Sequence, residues 1–216
     1  MRRETAQLYV QPGADTVALT RALRRVPGRW APNLPGCFGA GDYTWDLFVD
    51  ERTSSAAIAA QLAALPGIAR VDRVCYEAIA GGVRAPGLTN GIKRTLFLRV
   101  KPDASSPAIA TLEHDLLRLP RYMPGIRNWS LGRVVSDSPW SHVWQQEFAS
   151  ADDLLGEYMV HPYHWAWVDR WFDPEFPQQI VDTTLCHAFC PIETSVLAWA
   201  DTVPEVNGGQ TSLSGS

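Results

Sequence analysis

Charge is scarce in this chain. Aspartate and glutamate number 23, lysine and arginine 19, together 19% of 216 residues, for a net charge of −4. With no basic excess and no basic stripe, nucleic acid is not an expected partner. Long apolar runs are missing too. None approaches the ~20 residues that span a bilayer as a helix, so no membrane partner is expected. Cysteine is limited to Cys37, Cys75, Cys186 and Cys190, too few and too scattered for a disulfide scaffold. Met1 to Gln7 contains neither the apolar stretch nor the small-residue cleavage site of a secretory leader, and a cytoplasmic protein is expected. The cluster Cys186, His187, Cys190 invites a metal reading. In a strand, however, positions 186 and 190 share a face and 187 points the other way, with the thiols too far apart for one ion. No metal is expected.

What is present is a repeated order of elements. Residues 6–12 read as a strand, 15–26 as an amphipathic helix with Val17, Leu19, Leu23 and Val26, 27–41 as a Pro/Gly-rich loop, and 43–50 as a strand. An alanine-rich helix over 54–65 stops at Pro66-Gly67, and 69–80 is again a strand. Gly81-Gly82, Pro86-Gly87 and Asn90-Gly91 mark a linker over 81–91. The order then recurs: strand 93–101, helix 108–119 closed by Pro120, strands 126–135 and 141–150, a helix from Ser150 toward Phe172, and a last strand over 178–190. Ser150 with Asp152 and Asp153 has the composition of a helix start. The tail, 200–216, is expected to be disordered. Each half is a β-α-β-β-α-β unit, the ferredoxin-like pattern. The expected class is therefore α+β: two ferredoxin-like repeats, residues 1–85 and 91–192, whose sheets cover each other as an intramolecular dimeric α+β barrel with helices outside. A monomeric pseudo-dimer follows, with further homodimerisation left open.

Residues 141–164 are more specific. Ser141-His142-Val143-Trp144-Gln145-Gln146-Glu147-Phe148-Ala149-Ser150 is followed by Tyr158-Met159-Val160-His161-Pro162-Tyr163-His164. A strand ending in Phe-x-Ser, a helix, then Tyr-x-x-His-Pro-x-His resembles the stress-responsive dimeric α/β-barrel (Dabb) family over about residues 91–190. The first half has no such motif. It offers Phe48 to Ser55 and then alanines, so it looks like a degenerate partner standing where a second subunit would stand, and one site per chain is expected. Within the family, the second half resembles plant polyketide cyclases of the olivetolic acid cyclase type, which close a linear polyketide by an aldol step without metal or cofactor. That resemblance implies Tyr158 and His164 as catalytic residues, Asp182 as a supporting aspartate and His142 as a pocket histidine. It departs at Arg94, where those enzymes carry a histidine. An arginine there suggests a carboxylate, phenolate or enolate ligand.

The residue chemistry is compatible with these roles. Pro162 cannot supply a helix-interior N–H, so the helix should break or restart there and aim its neighbours into the barrel mouth. Histidine titrates near 6.5, so His164 is a candidate base. Asp182 could fix its tautomer, and Tyr158 could donate to an oxygen becoming an enolate. Alternation puts His142, Trp144, Gln146 and Phe148 on one face, and Arg94, Leu96 and Leu98 on one face. Arg94, His142, Trp144, His161 and Trp167 are the expected substrate-binding residues, around a flat aromatic or carbonyl-containing small molecule. Plainer roles compete: His161 as a cap, Tyr158 as core, Asp182 paired with a surface arginine, the tryptophans as packing, His114 and Tyr163 as surface. The expected function is a cofactor-free lyase, cyclase or isomerase. Two alternatives stand beside it: a haem-binding or oxygen-using barrel enzyme with His164 or His161 as axial ligand, and a non-catalytic stress or ligand-binding protein.

Overall fold

Each regular helix starts where the sequence supplies an oxygen for its orphan N–H groups. Asp15 accepts from the backbone of Val17 and Ala18 at the start of α1 (Thr16–Leu23). Ser54 accepts from Ala57 at α2 (Ser55–Ala63), and Ser105 from Ala108 at α3 (Ser106–Tyr122). The computed structural model describes residues 2–49 and 54–198, so the tail expected to be disordered lies outside the described residues. Around the helices run β1 (Arg2–Val10), β2 (Arg29–Pro32), β3 (Tyr43–Val49) and β4 (Ile68–Val83) in the first half. The second half has β5 (Thr89–Leu98), β6 (Ile126–Val134), β7 (His142–Phe148) and β8 (Cys186–Thr194).

The strands form one antiparallel sheet in the order β2-β3-β1-β4-β6-β7-β5-β8. Its first four and last four strands have the same internal order, so the ferredoxin-like α+β fold occurs twice. The halves join where β4 pairs with β6 from Tyr76↔Val134 to Val83↔Asn128. The other seam, between β2 and β8, is stitched by the loop after β2. Leu34 N donates to Phe189 O at 2.9 Å, and Phe38 and His187 exchange backbone bonds at 2.9 and 2.7 Å. Gly39 makes this approach possible. Its φ is +63°, and an added Cβ would sit 2.1 Å from Leu185 O.

Period-two alternation sends side chains to two different buried layers. On the helix side of the first half, Leu8, Trp45 and Leu47 pack against Leu19, Leu23, Ile58 and Leu62. On the helix side of the second half, Leu96, Trp144 and Phe148 pack against Leu112, Leu116 and Leu119 of α3. Each fully buried leucine contributes on the order of 1.5–3 kcal/mol. The opposite faces meet as the barrel lumen, which is polar. Lys93 Nζ, from the second half, donates to both carboxylate oxygens of Asp46, from the first, at 2.9 and 2.8 Å. Gln145 Nε2 donates to Asp46 Oδ1 at 2.9 Å, and Tyr76 OH donates to Gln145 Oε1 at 2.7 Å.

Three boundaries differ from the sequence reading. The linker shortens because β4 continues through Gly81 and Gly82, which pair with Ser130 and Trp129. A Cβ on Gly82 would lie 2.2 Å from the Trp129 ring, so glycine here permits close strand packing rather than marking a loop. Helix α3 runs past Pro120 to Tyr122. The last strand begins at Cys186, not 178, because Asp182 turns the chain by accepting from Thr184 N at 2.7 Å.

Candidate functional site

Between β7 and β8 the chain does not form an ordinary α-helix. Asp153–Tyr158 and His164–Val168 wind in wide turns with i→i+5 hydrogen bonding, and Asp169–Trp171 is a tight 3₁₀ turn. Wide turns of this kind are concentrated at functional sites. Pro162 separates the two wide stretches. His161 caps the second: its Nδ1 accepts from Tyr163 N at 3.1 Å and its carbonyl from His164 N at 2.9 Å. Asp115 of α3 fixes the whole segment. Its Oδ2 accepts from Arg170 Nη2 at 2.6 Å and Trp171 Nε1 at 2.9 Å, and its carbonyl accepts from Tyr163 OH at 3.1 Å. Tyr163, expected at the surface, is buried for this reason.

This docking creates a cavity of about 240 Å³ between the segment and the sheet. Its walls include Arg94 and Leu96 of β5, Trp144 of β7, Leu116 of α3, Tyr158, His164, Phe172 and His187. It therefore lies under the helical layer and not in the barrel mouth, a correction that follows from alternation. Arg94, Trp144 and His187 point away from the lumen, while Lys93, Gln145 and Cys186 point into it. The first half contributes Phe38, held beside His187 by the seam.

Within the cavity, the Tyr158 and His164 rings meet edge-on with centroids 5.0 Å apart. Tyr158 also packs edge-on against Phe148 at 5.5 Å. Burial pushes the Tyr158 hydroxyl up from its ordinary range, against the opposing pull of Arg94, so it stays protonated at neutral pH. His164 Nδ1 lies 3.1 Å from Asp169 Oδ1, within ion-pairing distance but without the alignment of a full hydrogen bond. Arg94 Nε donates to His187 Nε2 at 2.6 Å, and its Nη1 to Gln146 Oε1 at 2.8 Å.

Of the remaining sequence-expected residues, four lie elsewhere. Asp182 is bound to Arg99 at 2.8 Å in the turn before β8 and does not reach His164. His142 shares the face of Trp144 but sits nearer the end of β7, 3.0 Å from Glu113 Oε1. His161 is occupied as a cap. Trp167 stacks on Tyr163 at 6.2 Å on the outer side of the segment. Conversely, Asp169 and His187 belong to the site and were not assigned to it from sequence. Asp169 is five residues from His164, a spacing that faces only in a wide turn. His187 was legible in principle, since alternation places it with Phe189 on the helix side.

Residues 92–184 match the family model of the Stress responsive A/B Barrel Domain. This segment is a Dabb domain. Among solved structures, a putative monooxygenase from Lactobacillus acidophilus is 10% identical, with a TM-score of 0.57 over 89% of this chain and 94% of that one. A putative monooxygenase from Fusobacterium nucleatum is 9% identical, with a TM-score of 0.57 over 89% of this chain and 92% of its own. A hydroxynitrile lyase from Passiflora edulis is 17% identical, with a TM-score of 0.41 over 54% and 99%. At these identities the likeness to the first two is one of fold alone, and it extends over both halves. Comparison with curated proteins gives no match. Among the described residues, no helix is long and apolar enough to cross a membrane. The Dabb match ends two residues before β8, so it includes Arg94, Trp144, Tyr158, His164 and Asp169 but not His187.

His187 also gives the site a pH signature. Desolvation, then the charges of Arg94 and His164, push it down to about 3. Below its ordinary value near 6.5, the unfolded chain takes up a proton that the folded chain refuses until about 3. Stability therefore falls as pH drops through this window, by at most about 1.4 kcal/mol per pH unit from this group. Urea unfolding at pH 7, 5.5 and 4 is expected to show a loss that shrinks in His187→Gln. An identical pH slope in the variant would remove His187 as the cause.

Proposed function

We propose that the cavity of the Dabb domain is an active site for proton transfer next to a carbonyl, leading to aldol-type closure, cleavage or isomerisation of a small aromatic carbonyl compound. The observation that carries this reading is the pair of buried Tyr158 and partly buried His164 on the cavity wall. His164 takes a proton from the carbon beside the carbonyl. Tyr158, kept protonated by burial, donates to the carbonyl oxygen as charge builds there. Asp169, 3.1 Å away, faces the Nδ1 side of His164 and leaves Nε2 for the substrate. The resemblance to plant polyketide cyclases supports the same pair of roles.

Cavity size supports a compact ligand and a reaction without haem. An apolar cavity of about 150 Å³ accepts benzene, so one of about 240 Å³ accepts one ring with short substituents. It falls below the ~300–1,000 Å³ of pockets for drug-sized ligands, which supports a ligand smaller than a macrocycle. Deuterium exchange at the α-carbon of aryl ketones, followed by proton NMR in D₂O, tests the chemistry. Exchange must exceed that of buffer, and ketones that bind without exchanging would mark the domain as a binding module instead.

Asp169, not Asp182, is the expected orienting carboxylate. Asp169→Asn is expected to slow exchange roughly 10- to 100-fold, whereas Asp182→Asn keeps the wild-type rate. Equal rates for the two variants would end the role given to Asp169.

A further inference from the structure

Arg94 is a buried cation without a counter-charge. It is 7% exposed, and among the described residues no aspartate or glutamate lies within ion-pairing distance of it. Its two protein partners, His187 Nε2 and Gln146 Oε1, are neutral acceptors. The Tyr158 ring lies 5.3 Å from its guanidinium carbon and supplies only a π face. A guanidinium has five N–H donors, and these contacts leave several without a partner beside the cavity. Burying a charge in this way is costly unless something compensates it. Two more buried donors on the same strand face, Trp144 Nε1 and Gln146 Nε2, make no well-aligned hydrogen bond and lie toward the Tyr158 hydroxyl. Trp144 lines the same cavity. A charged donor side chain facing one ring-sized space, with Trp144 beside it on the wall, is an arrangement awaiting an anionic acceptor.

We propose that the cavity takes an aromatic carboxylate, whose carboxylate is received by Arg94 and whose ring lies against Leu96, Leu116 and Phe172. This rests on the reading of the cavity as the substrate site and specifies its substrate class: a ring acid whose reacting carbonyl is then presented to Tyr158 and His164. The planar fork of arginine suits the two oxygens of a carboxylate, which a histidine at this position could not engage in the same way.

Isothermal titration with benzoate and its uncharged isostere benzamide tests the inference on the unmodified protein. Benzoate is expected to bind about 10- to 100-fold more tightly, the range of a charge-assisted hydrogen bond in a buried site. Arg94→Met is expected to lose that preference, and Arg94→Lys to recover part of it. Asp182→Asn keeps the preference, because Asp182 lies outside the cavity, paired with Arg99. Equal binding of the two compounds, binding of neither, or a benzoate preference that survives in Arg94→Met overturns the proposal. If Arg94→Met fails to fold, the wild-type comparison alone decides. A benzoate preference without α-proton exchange on any ketone would overturn the acid/base reading while leaving the carboxylate site standing. The opposite result would do the reverse.

Discussion

His164→Ala and Tyr158→Phe each slow α-proton exchange by about 10²- to 10⁴-fold, the usual contribution of a positioned general acid or base. Both variants are expected to melt within about 2 °C of the wild type. The reason lies in how little else these polar groups do. The Asp169 carboxylate opposite His164 is 43% exposed, so removing the imidazole strands no buried charge. Tyr158→Phe keeps the ring, and with it the packing on Phe148. Loss of rate accompanied by a large fall in melting temperature would point to a structural role. Unchanged rates in both variants would mean that the proton moves elsewhere.

The largest stability effect is expected far from the cavity, in the lumen. Asp46→Ala leaves Lys93, which is fully buried, without its carboxylate, and is expected to cost about 3–5 kcal/mol. Urea or thermal unfolding measures it. The double variant Asp46→Leu with Lys93→Met removes both charges and is expected to recover most of the loss, because the penalty comes from the stranded ammonium rather than from losing the pair. A single-variant loss below about 1 kcal/mol would show that water reaches Lys93 and screens it. Since Asp46 belongs to the first half and Lys93 and Gln145 to the second, the same variant is expected to weaken the joint between halves.

The repeat and the sheet were legible because they rest on short-range rules. Alternation fixed which faces of β5 and β7 carry Arg94, Leu96, Trp144 and Gln146, and Pro162 fixed where the helix restarts. Errors arose where tertiary contacts overrode local signals. Ile180 to Leu185 has the composition of a strand, yet Asp182 caps Thr184 and the chain turns before β8 begins. Gly81 and Gly82 have the composition of a linker, yet Trp129 requires their missing side chains. Asp182 was paired with His164 because the resemblance to plant polyketide cyclases implied it, and the turn before β8 holds it on Arg99 instead. Asp169 escaped because helical pairs are sought at three and four residues, whereas a wide turn brings the fifth residue round. The position of the cavity, under the helices rather than in the lumen, needed knowledge of which face was already filled by Lys93, Asp46 and Gln145.

The two seams of the barrel have a consequence for how such a chain can diversify. Two identical subunits on a dyad must present every contact twice, so neither seam can change alone. Here one seam is a regular ladder between β4 and β6, and the other is a loop carrying Phe38 to the cavity wall. Fusion has broken the symmetry, and with it the obligation to keep two sites. One half is free to specialise as scaffold. Substitutions at Phe38 or around Gly39 then alter the size of the cavity from outside the Dabb domain, leaving Tyr158, His164 and Arg94 untouched.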